Sequence, residues 1–216
     1  MIKAVLFDFD GTLVDSSEGI TKSVQYALRH FGIEEENLSS LHKFIGPPLW
    51  DSFKKYYHFT EEQAEEAVQV YRSRYEKQGI YEVKLYPHVK EVLTALREQG
   101  YLISLASSKP ERTCKAIMEH LGLMELFHEI VGASHDGTIS TKEEVLRELF
   151  RRWQDISQDE MILVGDTIFD VEGAARVGMR SIGVTFGFGD VRQMLDGGAV
   201  CMIDDLMELV QEVAKL

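Results

Sequence analysis

Val5-Leu6-Phe7-Asp8-Phe9-Asp10-Gly11-Thr12-Leu13-Val14 puts two carboxylates, one residue apart, where an apolar run meets a glycine. Ala4-Val5-Leu6-Phe7 reads as a strand buried on both faces, and ionised groups inside it would be costly. At the end of the strand, facing a cleft that holds a cation, the cost is offset. Residues i and i+2 of a strand point to the same side, so both carboxyls face one spot while Phe9 turns away. Two like charges at about 4 Å repel by roughly 4 kcal/mol at an effective dielectric of about 20. A hard divalent cation with oxygen ligands relieves this, and Mg²⁺ is the natural choice. The plainer reading is an Asp-Gly turn closing a hairpin. Thr12-Leu13-Val14, soon broken by Asp15-Ser16-Ser17, is too short for its return strand.

The chain of 216 residues is long enough for one well-buried domain, or for one domain carrying a smaller insertion. A net charge of -13 argues against a nucleic-acid polymer or an anionic membrane surface as partner, so any anion site must be built locally. No apolar run approaches the length of a membrane span, and the N-terminal one is interrupted at Asp8, unlike a signal peptide. Cys114 and Cys201 are far apart and lack metal or redox spacing, which makes a reducing cytoplasm the expected location. A monomer or homodimer is expected.

From Ser16 to Gln78 the pattern is helical. Ile20, Val24, Ala27, Leu28 and Phe31 share one face before Gly32. A short helix is expected over Leu38 to Ile45, stopped by Gly46-Pro47-Pro48. Leu49, Phe53, Tyr56 and Tyr57 mark the next face, with Trp50 read as a core residue. Thr60-Glu61-Glu62-Gln63 has the form of a capping box before Ala64, Ala67, Val68, Tyr71 and Tyr75. After Pro87 helices alternate with strands at 101–106, 129–131, 161–164 and 180–184. Thr141-Lys142-Glu143-Glu144 is a second box. Ser157-Gln158-Asp159-Glu160 fits the same formula but precedes a strand and is discounted. The fold class is therefore α/β, a doubly wound parallel sheet with an inserted all-helical unit. The expected core is 1–15 and 82–216, and the expected cap is 16–81.

Ligands of an open parallel sheet bind beyond the carboxyl ends of its strands. Those ends carry Asp8 and Asp10, then Ser107-Ser108-Lys109, then Gly165-Asp166-Thr167 with Asp170, and Lys142 begins a helix. Each has an ordinary explanation. Ser107 or Ser108 could cap a helix, Lys142 could be a solvated first-turn lysine, and Asp166 or Asp170 could cap the helix that follows. Their joint position at one sheet edge argues for a site instead.

Asp8-Phe9-Asp10-Gly11-Thr12-Leu13-Val14-Asp15-Ser16 resembles the first motif of the haloacid dehalogenase-like hydrolase superfamily. Ser107 after a strand, Lys142, and Gly165-Asp166-Thr167-Ile168-Phe169-Asp170 resemble its second, third and fourth motifs. The insertion is similar to its helical cap of the first type. Ala106-Ser107-Ser108-Lys109-Pro110, Phe44-Ile45-Gly46-Pro47-Pro48 and Asp136-Gly137-Thr138 resemble phosphoglycolate phosphatase-like and 5′-nucleotidase-like members. His88 stands where that subgroup often has glycine, and Ser134-His135-Asp136 departs from its usual loop.

The resemblance implies phosphoryl transfer in two steps. Asp8 would be the nucleophile forming an aspartyl-phosphate, and Asp10 the acid and then the base. Mg²⁺ would be held by the Asp8 side chain, the Asp10 main-chain carbonyl and Asp166. Thr12, Ser107, Ser108 and Lys142 would contact the phosphate, Asp170 would orient Lys142 or a metal-bound water, and Gly46 with Pro47 would gate the substrate. A second acid two residues after the first favours rapid hydrolysis, hence a phosphatase. The expected substrate is a small phosphorylated metabolite such as 2-phosphoglycolate, with nucleoside 5′-monophosphates (5′-nucleotidase activity) as the alternative. A phosphosugar mutase and a non-catalytic phosphometabolite-binding protein are the competing classes. A phosphonatase would want a cap lysine for a Schiff base; Lys22, Lys43, Lys54 and Lys55 lack a context that marks one.

Overall fold

The structure is a computed structural model that describes residues 1–134 and 136–216. His135, in the loop singled out above, lies outside the described residues. In chain order the elements are β1 (Ala4–Phe7), β2 (Val14–Asp15), α1 (Ser17–His30), α2 (Leu49–Tyr57), α3 (Glu61–Tyr75), β3 (Lys84–Leu85) and α4 (Val89–Glu98). There follow β4 (Leu102–Pro110), α5 (Glu111–Leu121), β5 (Glu129–Ala133), α6 (Lys142–Arg152) and β6 (Met161–Gly165). The chain closes with α7 (Ile168–Arg176), β7 (Arg180–Val184), α8 (Val191–Asp196), β8 (Met202–Ile203) and α9 (Leu209–Ala214). It divides into two compact units, one of Met1–Val14 with Leu85–Leu216 and one of Asp15–Lys84.

The larger unit is built on a parallel sheet in the order β5-β4-β1-β6-β7-β8. All of β1 and β6 is buried, as the unbroken apolar runs Ala4–Phe7 and Met161–Val164 require. Ala4 and Leu6 pack with Leu163, Val145, Leu146, Leu149 and Ala174, so α6 and α7 cover one face. α4 and α5 pack against β4, and α9 against α4. β4 runs four residues beyond the stretch expected from its hydrophobicity, with a register shift against β5 between Ser107 and Pro110. β8 has only two residues, too few for alternation to betray it. His88 has φ 63°, a left-handed conformation that explains a glycine preference at that point, and its Nδ1 meets Asp205 at 2.8 Å.

The smaller unit is helical. Phe44 and Phe53 lie 5.0 Å apart, Phe53 stacks on Phe59 at 5.7 Å, and Phe31 meets Phe59 at 4.7 Å. The box at Thr60 forms as expected, with N–H bonds of Thr60 to Gln63 Oε1 (3.0 Å) and of Gln63 to Thr60 Oγ1 (3.2 Å). The helix expected at Leu38 is a 3₁₀ run, Leu38–Phe44. Trp50, expected in the core, is exposed, with the Lys54 ammonium 3.9 Å from its ring centre. The discounted Ser157 box also forms: Glu160 accepts from the Ser157 N–H (3.2 Å) and hydroxyl (3.0 Å) over a single 3₁₀ turn leading into β6. The chain passes between the units at Val14–Asp15 and Lys84–Leu85, and these short strands pair as a ribbon. Among the described residues no helix is long and apolar enough to cross a membrane.

Candidate active site

The order of strands reverses at β1: β4 and β5 lie on one side of it, β6, β7 and β8 on the other. A crevice beyond the carboxyl ends is expected at such a switch point, and residues following β1 and β6 meet there with residues in the last part of β4. The Asp8 N–H donates to Val164 O (2.8 Å), tying the first carboxylate to the end of β6. Lys142, the first residue of α6, sends its buried ammonium to Asp8 Oδ1 (2.6 Å), Asp170 Oδ1 (2.8 Å) and the Ala106 carbonyl (2.7 Å). Its three donors therefore have three acceptors. Burial opposes its charge, but Asp170 and Asp8 outweigh that and hold the ammonium above its ordinary range. This also offsets an unfavourable position at a helix N-terminus.

Asp170 has a second task. Its Oδ2 accepts from the Thr167 N–H (3.0 Å) and hydroxyl (2.8 Å), closing a capping box at the start of α7 whose N-cap is Thr167 rather than Asp166 or Asp170. Asp166 is fully buried after β6; its Oδ2 accepts the Phe188 N–H (2.8 Å), and the Thr12 hydroxyl is 3.4 Å from Oδ1. Gly11 is needed for space as well as for its φ of 87°, since a Cβ there would sit 2.0 Å from Asp166 Oδ2. A Cβ on Gly187 would sit 2.2 Å from Asp166 Cβ. The Gly187-Phe188-Gly189 loop is thus a wall of the site, a part that motif reading missed.

Oxygens of Asp8, Asp166 and Asp170 lie within 4.8 Å of one another. Burial pushes the Asp8 carboxyl up from 3.8 to about 6, with Lys142 pulling it down and Asp170 and Asp10 adding to the rise. Burial, then Asp170 and Asp8, push Asp166 well above the usual carboxylate range. Four carboxylates against the ammoniums of Lys142 and Lys109 leave two formal negative charges in excess. That excess and an all-oxygen donor set fit a hard divalent cation. Asp170 already takes the Lys142 ammonium on one oxygen and two Thr167 donors on the other, whereas Asp166 Oδ1 has only the Thr12 hydroxyl at 3.4 Å, so Asp8 and Asp166 are the side chains best placed to hold it.

The Asp10 carboxylate sits apart from this cluster, with the Lys109 ammonium at 2.8 Å and 3.0 Å from its two oxygens. Ser107 is buried and accepts the Lys109 N–H at 3.3 Å; Ser108 is exposed. Neither caps α5, whose N-cap position is Pro110. Thr12 is brought to Asp166, as above. Gly46 (φ 99°, exposed) and Pro47 belong to the helical unit. There Lys22 pairs with Glu18 and Glu82, Lys54 lies on Trp50, and Lys43 and Lys55 lie over Tyr56.

Residues 5–184 match the family model described as haloacid dehalogenase-like hydrolase. The chain belongs to the haloacid dehalogenase-like hydrolases. A 5′-nucleotidase of Pseudomonas aeruginosa is 42% identical over 86% of this chain and 83% of its own length. A tyrosine-protein kinase, PtkA, of Mycobacterium tuberculosis is 35% identical over 86% of this chain but only 62% of its own length. A phosphoglycolate phosphatase of Aquifex aeolicus is 26% identical over 97% of both. A crystal structure of a "predicted phosphatase" from Clostridium acetobutylicum superposes over 100% of both chains with TM-score 0.94 and 44% identity. The chain is thus a haloacid dehalogenase-like phosphatase with an α/β fold.

Proposed function

We propose that this haloacid dehalogenase-like phosphatase hydrolyses a small phosphomonoester through a phosphorylated Asp8, with Mg²⁺ as cofactor. The observation that carries the reading is the Asp8 carboxylate at the tip of β1, gripped by Lys142 at 2.6 Å beside Asp166 and Asp170. In the first step an Asp8 oxygen bonds to phosphorus as the ester oxygen leaves and takes a proton from Asp10. In the second, water bonds to phosphorus and gives its proton to Asp10, and the bond to Asp8 breaks. Lys142 fixes the Asp8 rotamer and supplies positive charge where the phosphoryl oxygens gather, with Ser107 as a hydroxyl donor. Mg²⁺, held by Asp8, Asp166 and the Asp10 main-chain carbonyl, would neutralise the excess negative charge and orient the phosphoryl group.

The relatives bear on the substrate. The 5′-nucleotidase is more similar than the phosphoglycolate phosphatase, 42% against 26% identity. This favours nucleoside 5′-monophosphates over 2-phosphoglycolate, the reverse of the order expected from motifs alone. The helical unit is proposed as the cap, with Gly46-Pro47 as its specificity loop. A panel of phosphomonoesters with Mg²⁺, containing nucleoside 5′-monophosphates, 2-phosphoglycolate and ATP, tests the reading. Nucleoside monophosphates should give the highest kcat/KM, and EDTA should abolish turnover until Mg²⁺ is restored. Full activity in metal-free buffer would sink the mechanism, and a clear preference for 2-phosphoglycolate would sink the substrate order.

A further inference from the structure

We infer that Lys109 is a positioning residue for Asp10, acting in the step that hydrolyses the phosphorylated enzyme; this rests on the mechanism proposed above. Lys109 Nζ lies 3.0 Å and 2.8 Å from Asp10 Oδ1 and Oδ2, and both side chains are largely buried, 8% and 17% exposed. A single ammonium on both oxygens fixes the carboxylate rotamer more tightly than one hydrogen bond would. The contact is built by the fold. β4 and β5 shift register between Ser107 and Pro110, and the Lys109 N–H returns to Ser107 Oγ at 3.3 Å. Gly132 on β5 leaves room for the displaced strand, since a Cβ there would sit 2.6 Å from the Lys109 carbonyl oxygen. Bulges that re-aim a side chain beside a site are a recurrent device.

The geometry bears on the second step more than on the first. A base that takes a proton from water must be ionised and aimed when water bonds to phosphorus and the Asp8–phosphorus bond breaks. The Asp10 carboxylate, held on both oxygens by Lys109, is aimed for that task. In the first step an activated ester such as p-nitrophenyl phosphate needs no proton on its leaving oxygen. Lys109 should therefore matter most after the phosphoryl group has reached Asp8.

Acid-quench measurement of phosphoenzyme during turnover of p-nitrophenyl phosphate with Mg²⁺ tests this in Lys109→Met, Lys109→Arg, Asp10→Asn and the Asp10→Asn/Lys109→Met double variant. Lys109→Met should raise the steady-state phosphoenzyme fraction as Asp10→Asn does, and lower kcat by about tenfold or more. Its kcat/KM should stay within about twofold, with KM falling alongside kcat, because slowing the second step alone leaves the first untouched. Inhibition by inorganic phosphate should also stay within about twofold, because phosphate binding rests on Lys142 and Ser107. Lys109→Arg should restore much of the rate. The double variant should turn over no more slowly than Asp10→Asn, and this reads the coupling even if Lys109→Met folds poorly. Phosphoenzyme in Asp10→Asn but no rise in Lys109→Met, with KM and phosphate inhibition weakened together, would make Lys109 a direct phosphate contact and overturn the inference alone. Absence of phosphoenzyme in both wild type and Asp10→Asn would overturn the mechanism itself.

Discussion

The two units of this protein differ in the charge they bury: both carry surface ion pairs, but the most deeply buried ones lie in the sheet unit. In the sheet unit the ion pairs Lys142–Asp8, Lys142–Asp170 and Lys109–Asp10 are largely buried, and nearly every donor and acceptor has a partner. In the helical unit the pairs are mostly at the surface, as in His30–Glu66 and Lys54–Glu61, while cohesion comes from Phe31, Phe44, Phe53 and Phe59. Burying an ion pair adds little net stability and often less than apolar packing would, and exposed pairs contribute about 0–1 kcal/mol. The sheet unit therefore carries charges its stability does not require, and their arrangement makes sense as chemistry. The helical unit has the makeup of a body held by packing.

Four substitutions or conditions would break or sharpen that contrast. The largest effect should come from Asp8→Asn, which should reduce turnover to background while leaving metal-free stability unchanged or raised, since a buried carboxylate among like charges is removed. Calorimetry beside a phosphate-release assay checks both halves; marked destabilisation with activity retained would make Asp8 structural. Next, Lys142→Met should abolish turnover and cost about 3–5 kcal/mol, because Asp8 and Asp170 would be left buried without their cation. Urea denaturation measures it, and the Asp8→Asn/Lys142→Met pair should recover part of the loss.

A third effect depends on pH. The folded-state pKa of Asp8, raised from 3.8 to about 6, means that the folded protein binds this proton more tightly than the unfolded chain. The resulting stability is fully present below about pH 4 and is lost as pH rises through about 6. In EDTA, this component should therefore lower Tm as pH rises across that window, and Asp8→Asn should flatten the trend. Stabilisation by added Mg²⁺ should grow over the same window, because protons and cation compete for the same oxygens. The smallest effect belongs to the helical unit. Glu82, whose carboxylate accepts from Arg74 at 2.8 Å and 3.0 Å, should cost only about 1–2 kcal/mol as Glu82→Gln. Turnover at saturating p-nitrophenyl phosphate should change little, and a large loss would mean that charge in the helical unit serves the chemistry too.

The sequence carried the acidic end of the site because strand geometry is simple. The apolar runs before Asp8 and Asp166 mark the two strand ends that meet, whereas alternation does not extend to Asp10, which lies past the end of β1 with its carboxylate on Lys109. Lys142 and Asp170 were legible as the openings of helices, although the Asp170 carboxylate turned out to serve Thr167 and Lys142 at once. Lys109 was placed at the sheet edge but given no role, because its aim depends on a register shift between β4 and β5, a tertiary feature with no local signature. The Phe188 N–H on Asp166 escaped for a related reason. A backbone donor has no side chain to announce it, and only the flanking Gly187 and Gly189 hint that chains approach closely there. The ribbon of β2 and β3 and the strand β8 were missed because two residues cannot display a period.

The central claim is that Asp8 becomes phosphorylated, and peptide mass spectrometry of acid-quenched enzyme during Mg²⁺-dependent turnover tests it most directly. One added phosphoryl group is expected on the peptide spanning Asp8, enriched in Asp10→Asn and absent from Asp8→Asn. A phosphoryl group on another residue, or none in Asp10→Asn while it still turns over, would contradict it.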